Sequence, residues 1–400
     1  MRDLDKLLAS FERSDLLQPF GDRPTIVDLA RALAWLAGVE SIERTAKVTA
    51  LTERIGPADH LIFVVADGLG LNLLEGATEN TFLADHLVAE LRSVFPSTTA
   101  TALTSLATGE WPNQHGVTGQ WTHLAEIQGS AALLPFVARS GGRLLTHLGV
   151  EIDRVFPLPP LMSRMTRDVL AVLPARLVQS ISSTYFTGAQ PRAGYETLAQ
   201  ALDLIRERVG AAVAQTYTYL YTPRIDAETH FLGVKHAGVR AVVNELDHFV
   251  EQLAESLGGR ARIVVTADHG LLDAPVAARH AFKPAADFLN QLRYGSSGDD
   301  RVLYFHVRDP EDELLGQRLK SLYDDRFLLI SVAEAEQHQL FGPGPISPRV
   351  RDRFGDALLI SSGADVIEHV RAGQVSRRAD LNAFHSGLSP DELRVPLVVV

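Results

Sequence analysis

His60-Leu-Ile-Phe-Val-Val-Ala66 runs straight into Asp67-Gly68, and far downstream Arg262-Ile-Val-Val-Thr-Ala267 runs into Asp268-His269-Gly270. Each is a short apolar run rich in β-branched residues, with no polar alternation. That is how a strand reads when helices cover both of its faces, as in a parallel sheet. Tyr217-Thr-Tyr-Leu-Tyr221 and Leu397-Val-Val-Val400 read the same way, and helical stretches such as Tyr195 to Val213 and Ala237 to Leu257 lie between them. Alternating strands and helices predict an α/β fold with a mainly parallel central sheet flanked by helices on both faces. Ligands of such sheets bind beyond the carboxyl ends of the strands. Asp67, Asp268 and His269 all follow a strand directly, so they are expected on one edge.

Outward from this frame the sequence is less regular. Residues 1–58 read as an N-terminal helical extension, with Leu7, Leu8, Phe11, Ala30, Leu33 and Leu36 at roughly helical spacing. Residues 59–400 read as one catalytic domain carrying insertions at about 121–190 and 282–348. The second insertion holds an apolar strand, Val302 to His306, and a helix around Glu311 to Tyr323. It is expected to act as a cap over the site.

The composition narrows the chemistry. Cysteine is absent, which leaves imidazole and carboxylate as the metal ligands. A formal net charge of −11 disfavours a general nucleic-acid surface. An anionic substrate would need a local positive centre, which a pair of divalent cations supplies. No apolar run reaches the roughly 18 residues of a membrane span. Acidic residues in MRDLDKLLASFERSD interrupt the stretch that a secretory leader needs, so a cytoplasmic protein is expected.

Several ligand-type groups stand out. Asp226 and His230, four apart, share a face if the segment is helical and could hold one ion together. Asp268-His269 is costly to bury without a partner. His385-Ser386-Gly387 precedes the last strand. In Phe95-Pro-Ser-Thr-Thr-Ala-Thr-Ala-Leu-Thr-Ser-Leu-Ala-Thr-Gly109 a helix is expected to begin near Thr98 or Thr99 and to stop at Gly109. A hydroxyl there is ordinarily a cap, but the same helix end favours phosphate, and beside a metal it could become a nucleophile.

These blocks resemble the type I phosphodiesterase and nucleotide pyrophosphatase branch of the alkaline phosphatase superfamily. The resemblance rests on Val65-Ala-Asp-Gly-Leu69, Phe95-Pro-Ser-Thr-Thr-Ala100 with Ala107-Thr-Gly109, Trp111-Pro-Asn-Gln-His-Gly116, Asp226 with His230, Thr266-Ala-Asp-His-Gly270 and His385-Ser-Gly387. It implies an alkaline phosphatase-like catalytic domain with two divalent ions, zinc or alternatively manganese. Asp226, His230 and His385 would hold one ion; Asp67, Thr99, Asp268 and His269 would hold the other. It further implies that Thr99 is the nucleophile of a two-step hydrolysis through a phosphothreonine. Gln120 stands where the family places a phosphate-binding asparagine. Ala100-Thr101-Ala102 replaces a Phe-Pro-Asn whose aromatic helps receive a nucleobase, which leaves nucleotide preference open. The implied substrate is a small phosphate ester or diester. A phosphomonoesterase, a phosphonate hydrolase and a catalytically silent metal-binding module are the alternatives. A sulfatase is disfavoured, since no Cys or Ser stands in a Cys/Ser-x-Pro-x-Arg motif.

Overall fold

The computed structural model describes residues 3–76, 81–282, 290–309, 314–369 and 380–400. Its central sheet has seven strands: β1 (His60–Ala66), β2 (Leu87–Arg92), β3 (Asp168–Pro174), β4 (Arg192–Tyr195), β5 (Thr216–Thr222), β6 (Ala261–Thr266) and β7 (Arg394–Val399). Their order across the sheet is β2-β7-β6-β1-β5-β3-β4. The pairs β1–β5, β1–β6, β3–β5 and β3–β4 are parallel, and β7 runs antiparallel to both β2 and β6. Every residue from Leu61 to Ala66 is buried, so both faces of β1 are covered, as its unbroken apolar run requires. Among the helices packed on this sheet are Ile26–Leu36, Ala46–Ile55, Leu198–Ala211 and Ala237–Leu257.

A second, antiparallel sheet joins the two stretches read as insertions with a strand beyond both of them, Ala357–Ser361. Its strand order is Phe327–Ser331, Ala357–Ser361, Val302–Phe305, Ser297–Asp299, Trp121–Leu124, Gly129–Ala132 and Val137–Ala138. The two halves meet where Gly298 pairs with Trp121. The first stretch itself divides: Leu145, Val150 and Phe156 pack with Leu124 and Ala131 of the second sheet, whereas β3 lies in the central sheet. The helix Leu314–Tyr323 packs on the second sheet, while Glu311 to Glu313 lie outside the described residues. The N-terminal helices divide in the same way. Leu7 and Leu16 pack with Leu328 and Ile330 of the second sheet, whereas Ile26–Leu36 packs on the central core. No described helix is long and apolar enough to cross a membrane.

Candidate metal and phosphate site

Five strands deliver their functional residues to one edge. The parallel strands β1, β5 and β6 end together, Ala66 beside Thr222 and Val65 beside Thr266. Asp67 follows β1 and Asp268-His269 follows β6. Asp226 and His230 stand on the helix Arg224–Leu232 that follows β5. The antiparallel β7 begins at this edge, so His385, which precedes it, arrives there too. β2 leads through Ser93 to Ser97 into the helix Thr99–Thr108, which ends at Gly109 in the left-handed region, φ +68°.

The loops must approach closely for this convergence. Gly68 has φ +76°, and a Cβ there would lie 2.8 Å from the Asp226 Cα. A Cβ on Gly270 would lie 2.1 Å from the Asp391 carbonyl oxygen. A side chain at Gly68 would push Asp226 away from Asp67, and one at Gly270 would push away the backbone at Gly70 and Asp391.

The three histidines share one orientation. His230 Nδ1 is 2.7 Å from the Ala383 carbonyl, His385 Nδ1 is 3.0 Å from that of Ser97, and His269 Nδ1 is 3.2 Å from that of Gly270. A carbonyl at Nδ1 favours the tautomer whose Nε2 carries a lone pair, the arrangement typical of metal-ligating histidine. His230 Nε2 lies 3.3 Å and His385 Nε2 3.8 Å from Asp226 Oδ1. His269 Nε2 lies 3.6 Å from Asp67 Oδ1 and 3.5 Å from Asp268 Oδ2. Those same three carboxylate oxygens are buried with no aligned hydrogen-bond partner among the described residues. The other oxygens are held: Tyr221 donates its hydroxyl to Asp67 Oδ2, and the Gly68 and His269 amides donate to Asp268 Oδ1 at 3.1 and 3.0 Å. Asp226, His230 and His385 form one group whose ligand atoms lie within 4.8 Å of one another, and Asp67, Asp226 and His269 form a second. Orphaned buried oxygens facing imidazole lone pairs suit divalent cations.

The electrostatics agree. Burial, reinforced by Asp268 and Asp226, holds Asp67 well above the usual carboxylate range. Burial pushes Asp268 up to about 6, against the lowering influence of the Gly68 amide. Burial lowers His269, and it lowers His385 to about 3 with His269 adding to the effect. For Asp226 burial acts upward but is outweighed, first by His230, so the group stays below its ordinary range. Neutral imidazoles around crowded carboxylates are poised for added positive charge.

A sign follows for the metal-free protein. A carboxyl raised on folding contributes stability below its unfolded value, near 4, and loses it as pH rises through the folded value. Asp67 and Asp268 therefore lose stability between about pH 5 and 7.5, while His269 and His385, lowered on folding, gain it over the same range. The carboxylate part is isolated by comparison: the chelated wild type is expected to lose more, or gain less, melting temperature from about pH 5 to about pH 7.5 than chelated Asp268→Asn. Divalent metal should remove that carboxylate part from the wild type. Thermal melts of both proteins at the two pH values, with and without chelator, check it; a wild-type slope that metal leaves unchanged would count against the site.

The hydroxyl-rich helix resolves into one candidate nucleophile. Ser97 donates to the Gly387 carbonyl (2.8 Å), Thr98 to Asp299 (2.9 Å), Thr101 to the Val117 carbonyl (3.2 Å), Thr104 to Ala100 (2.7 Å) and Thr108 to Thr104 (2.7 Å). Ser105 pairs with His115 Nε2 at 2.9 Å. Thr99 Oγ1 instead lies 3.2 Å from His269 Nε2, at the cluster. A cavity of about 250 Å³ opens beside it, lined among others by Gln120, Asp226, His230, His385, Asp299 and Asp300. Thus all eight residues singled out in the sequence come to one edge. Tyr221, Asp299 and Asp300 were not anticipated. Tyr221 had a signal, a polar-tipped residue closing a buried strand beside the edge. The Asp299-Asp300-Arg301 run reads as an ordinary solvated hairpin turn, yet all three are buried.

The sequence profile of the type I phosphodiesterase / nucleotide pyrophosphatase family matches residues 61–127 and 159–339, more than half of the chain. The chain belongs to this family. No curated protein matches it in sequence. The fold of this phosphodiesterase-family chain is similar to human ectonucleotide pyrophosphatase/phosphodiesterase 5, with a TM-score of 0.63 and 13% identity over 85% of this chain and 87% of that one. It is similar to the murine counterpart at a TM-score of 0.61 and 14% identity, over 84% and 87% of the two chains. Phosphonoacetate hydrolase from Sinorhizobium meliloti, solved with phosphonoacetate, gives 0.58 and 16% over 84% and 89%. These likenesses are of fold, and family membership supports a phosphoester hydrolase.

Proposed function

We propose that this chain is a two-metal phosphodiesterase that passes a phosphoryl group from a small diester to Thr99 and then to water. One observation carries the reading. Three imidazoles, each held by a carbonyl at Nδ1, surround three partnerless buried carboxylate oxygens, with the Thr99 hydroxyl at their rim. Asp226, His230 and His385 would hold one cation; Asp67, Asp268 and His269, with Thr99, the other. Imidazole and carboxylate without thiolate suit zinc, with manganese second. Bound there, divalent cations supply Lewis-acid neutralisation of the phosphate oxygens.

The chain's own residues do the rest. The Thr99 hydroxyl gives up its proton and its oxygen attacks phosphorus. One ester P–O bond breaks, and the leaving alkoxide takes up a proton and departs as an alcohol, which leaves the other ester group on a phosphate bound to Thr99. Water then cleaves the bond between that phosphorus and the Thr99 oxygen, releasing a phosphate monoester and restoring the hydroxyl. The first turn of the helix Thr99–Thr108, which has no side-chain cap, offers amide dipoles to a phosphate oxygen. The Gln120 side-chain amide is a further donor from the cavity wall. The solved murine relative includes an inactive threonine-to-alanine variant in complex with AMP, which supports a threonine nucleophile and a small phosphate ligand.

Cleavage of phosphonates is the second reading, favoured by the fold shared with phosphonoacetate hydrolase. Metal analysis of the purified protein, with turnover of bis-p-nitrophenyl phosphate, p-nitrophenyl phosphate and phosphonoacetate, separates the cases. About two zinc ions per chain with fastest diester cleavage is the expected result. Preference for the monoester or the phosphonate would keep the site and move the substrate. No metal and no turnover, even after zinc or manganese is added, would sink the reading.

A further inference from the structure

We propose that Asp299 is the positioning residue for the nucleophile, holding Thr99 in place through Thr98 and tying it to Gln120. The inference rests on Thr99 acting as the nucleophile. Asp299 ends the strand Ser297–Asp299 of the second sheet and is 5% exposed. Its Oδ2 accepts the Thr98 hydroxyl at 2.9 Å and the Gln120 amide at 3.3 Å, and its Oδ1 accepts the Asp300 amide at 2.9 Å. One carboxylate therefore joins the residue before the nucleophile to the residue placed for phosphate binding. It does so from a sheet that contributes none of the six carboxylate and imidazole groups assigned to the metals.

Two features separate this role from routine packing. Thr98 stands at the helix N-cap in extended geometry, φ −134° and ψ 147°, where a threonine hydroxyl ordinarily accepts from a first-turn amide. Here no side-chain cap forms, because the hydroxyl is turned to Asp299. The carboxylate thus fixes the backbone entering Thr99 and keeps the first-turn amides from being capped by their neighbour. The position also requires a carboxylate. Both of its oxygens face a backbone N–H, so an asparagine must turn its NH2 group against one of those donors whichever way it is flipped.

The test compares Thr98→Val, Thr98→Ser, Asp299→Asn and the double variant Thr98→Val/Asp299→Asn. Each is assayed with bis-p-nitrophenyl phosphate, with metal content measured alongside. Misplacement of a reacting group by about 1 Å costs on the order of a hundredfold. Thr98→Val and Asp299→Asn are expected to lose roughly ten- to a hundredfold in kcat, with KM within about twofold and metal unchanged. Thr98→Ser, which keeps the hydroxyl, should stay within about threefold of wild type. The double variant should be no worse than the poorer single, because Asp299→Asn already disturbs the group that Thr98→Val disconnects, besides its contacts to the Gln120 and Asp300 amides. A wild-type kcat in Thr98→Val, multiplicative losses in the double variant, or loss of metal with Asp299→Asn would each overturn the proposal. Should the unaltered chain cleave no phosphoester, the nucleophile reading fails on that result. The positioning claim is then decided by the crystal structure of Thr98→Val: a shift of Thr99 relative to His269 supports it, and an unmoved Thr99 overturns it.

Discussion

Replacing Thr99 with alanine is expected to abolish phosphoester turnover while leaving the metal content at its wild-type level. The change removes one hydroxyl at the rim of the cluster and none of the six carboxylate and imidazole groups, of which Asp67, Asp268 and His269 are buried and Asp226, His230 and His385 partly so. Each of those groups keeps its own support, such as the carbonyls at the three Nδ1 atoms and the Tyr221 hydroxyl on Asp67. Alanine suits the first turn of a helix, and no capping bond is lost, since Thr99 is not the N-cap. Stability should therefore change by less than about 1 kcal/mol. Losing a nucleophile outright costs several orders of magnitude in kcat, on the order of a millionfold in well-studied hydrolases. The control is Thr98→Val, expected to retain a residue of activity well above that of Thr99→Ala. Activity surviving in Thr99→Ala and vanishing in Thr98→Val would move the nucleophile one residue toward the N-terminus. The geometry argues against that outcome, because the Thr98 hydroxyl is 2.9 Å from Asp299 and Thr98 is 2% exposed.

The sequence made this edge legible because its signals are local. An apolar run that stops at an acid marks a buried strand and its carboxyl end, and Asp226 with His230 carries helical spacing in the residues themselves. The helix from Thr99 to Gly109 announces its end with a glycine. The second sheet offered no such signal. Its strands are two to five residues long, and its halves, joined by Gly298 beside Trp121, are far apart in the chain. Short antiparallel strands take their identity from neighbours that a linear reading cannot supply. The direction of β7 was equally hidden, since Val395 to Val398 look the same in a parallel or an antiparallel strand buried on both faces. Asp299-Asp300-Arg301 gave no sign of a site: a run of three charged residues is ordinarily solvated, and here long-range partners such as Thr98 and Glu392 hold it inside.

Arg301 supplies the second large effect, in stability and metal affinity together. Its side chain is fully buried and forks onto Glu392, Nε to Oε1 at 2.7 Å and Nη2 to Oε2 at 3.2 Å. The remaining donors reach the carbonyls of Gly363 (2.7 Å) and Asp365 (3.1 Å). Burial alone would raise Glu392, but Arg301 and the hydrogen bonds around it hold the group below its ordinary value, so it is charged. Glu392 in turn accepts the Gly387 amide at 2.7 Å and the Ser389 amide at 3.0 Å, and Ser386 Oγ accepts the Arg301 amide at 3.2 Å. Ser386 sits at φ +107°, a strained conformation for a residue with a side chain, and it follows His385 directly. The ion pair therefore pins the turn that aims His385 at Asp226. Arg301→Met keeps much of the bulk but strands a buried carboxylate, a change that costs about 3–5 kcal/mol. Loosening the turn should also release His385, so divalent-metal affinity should fall by more than about tenfold in the fraction that folds. Arg301→Met combined with Glu392→Gln removes the unpaired charge and should recover part of the stability. It should not recover the affinity, because the neutral amide no longer grips both the Gly387 and Ser389 amides. Denaturant unfolding and zinc titration of the two variants check this. Recovery of both properties together would mean that Arg301 only neutralises Glu392, and that the turn before β7 holds its shape without the pair.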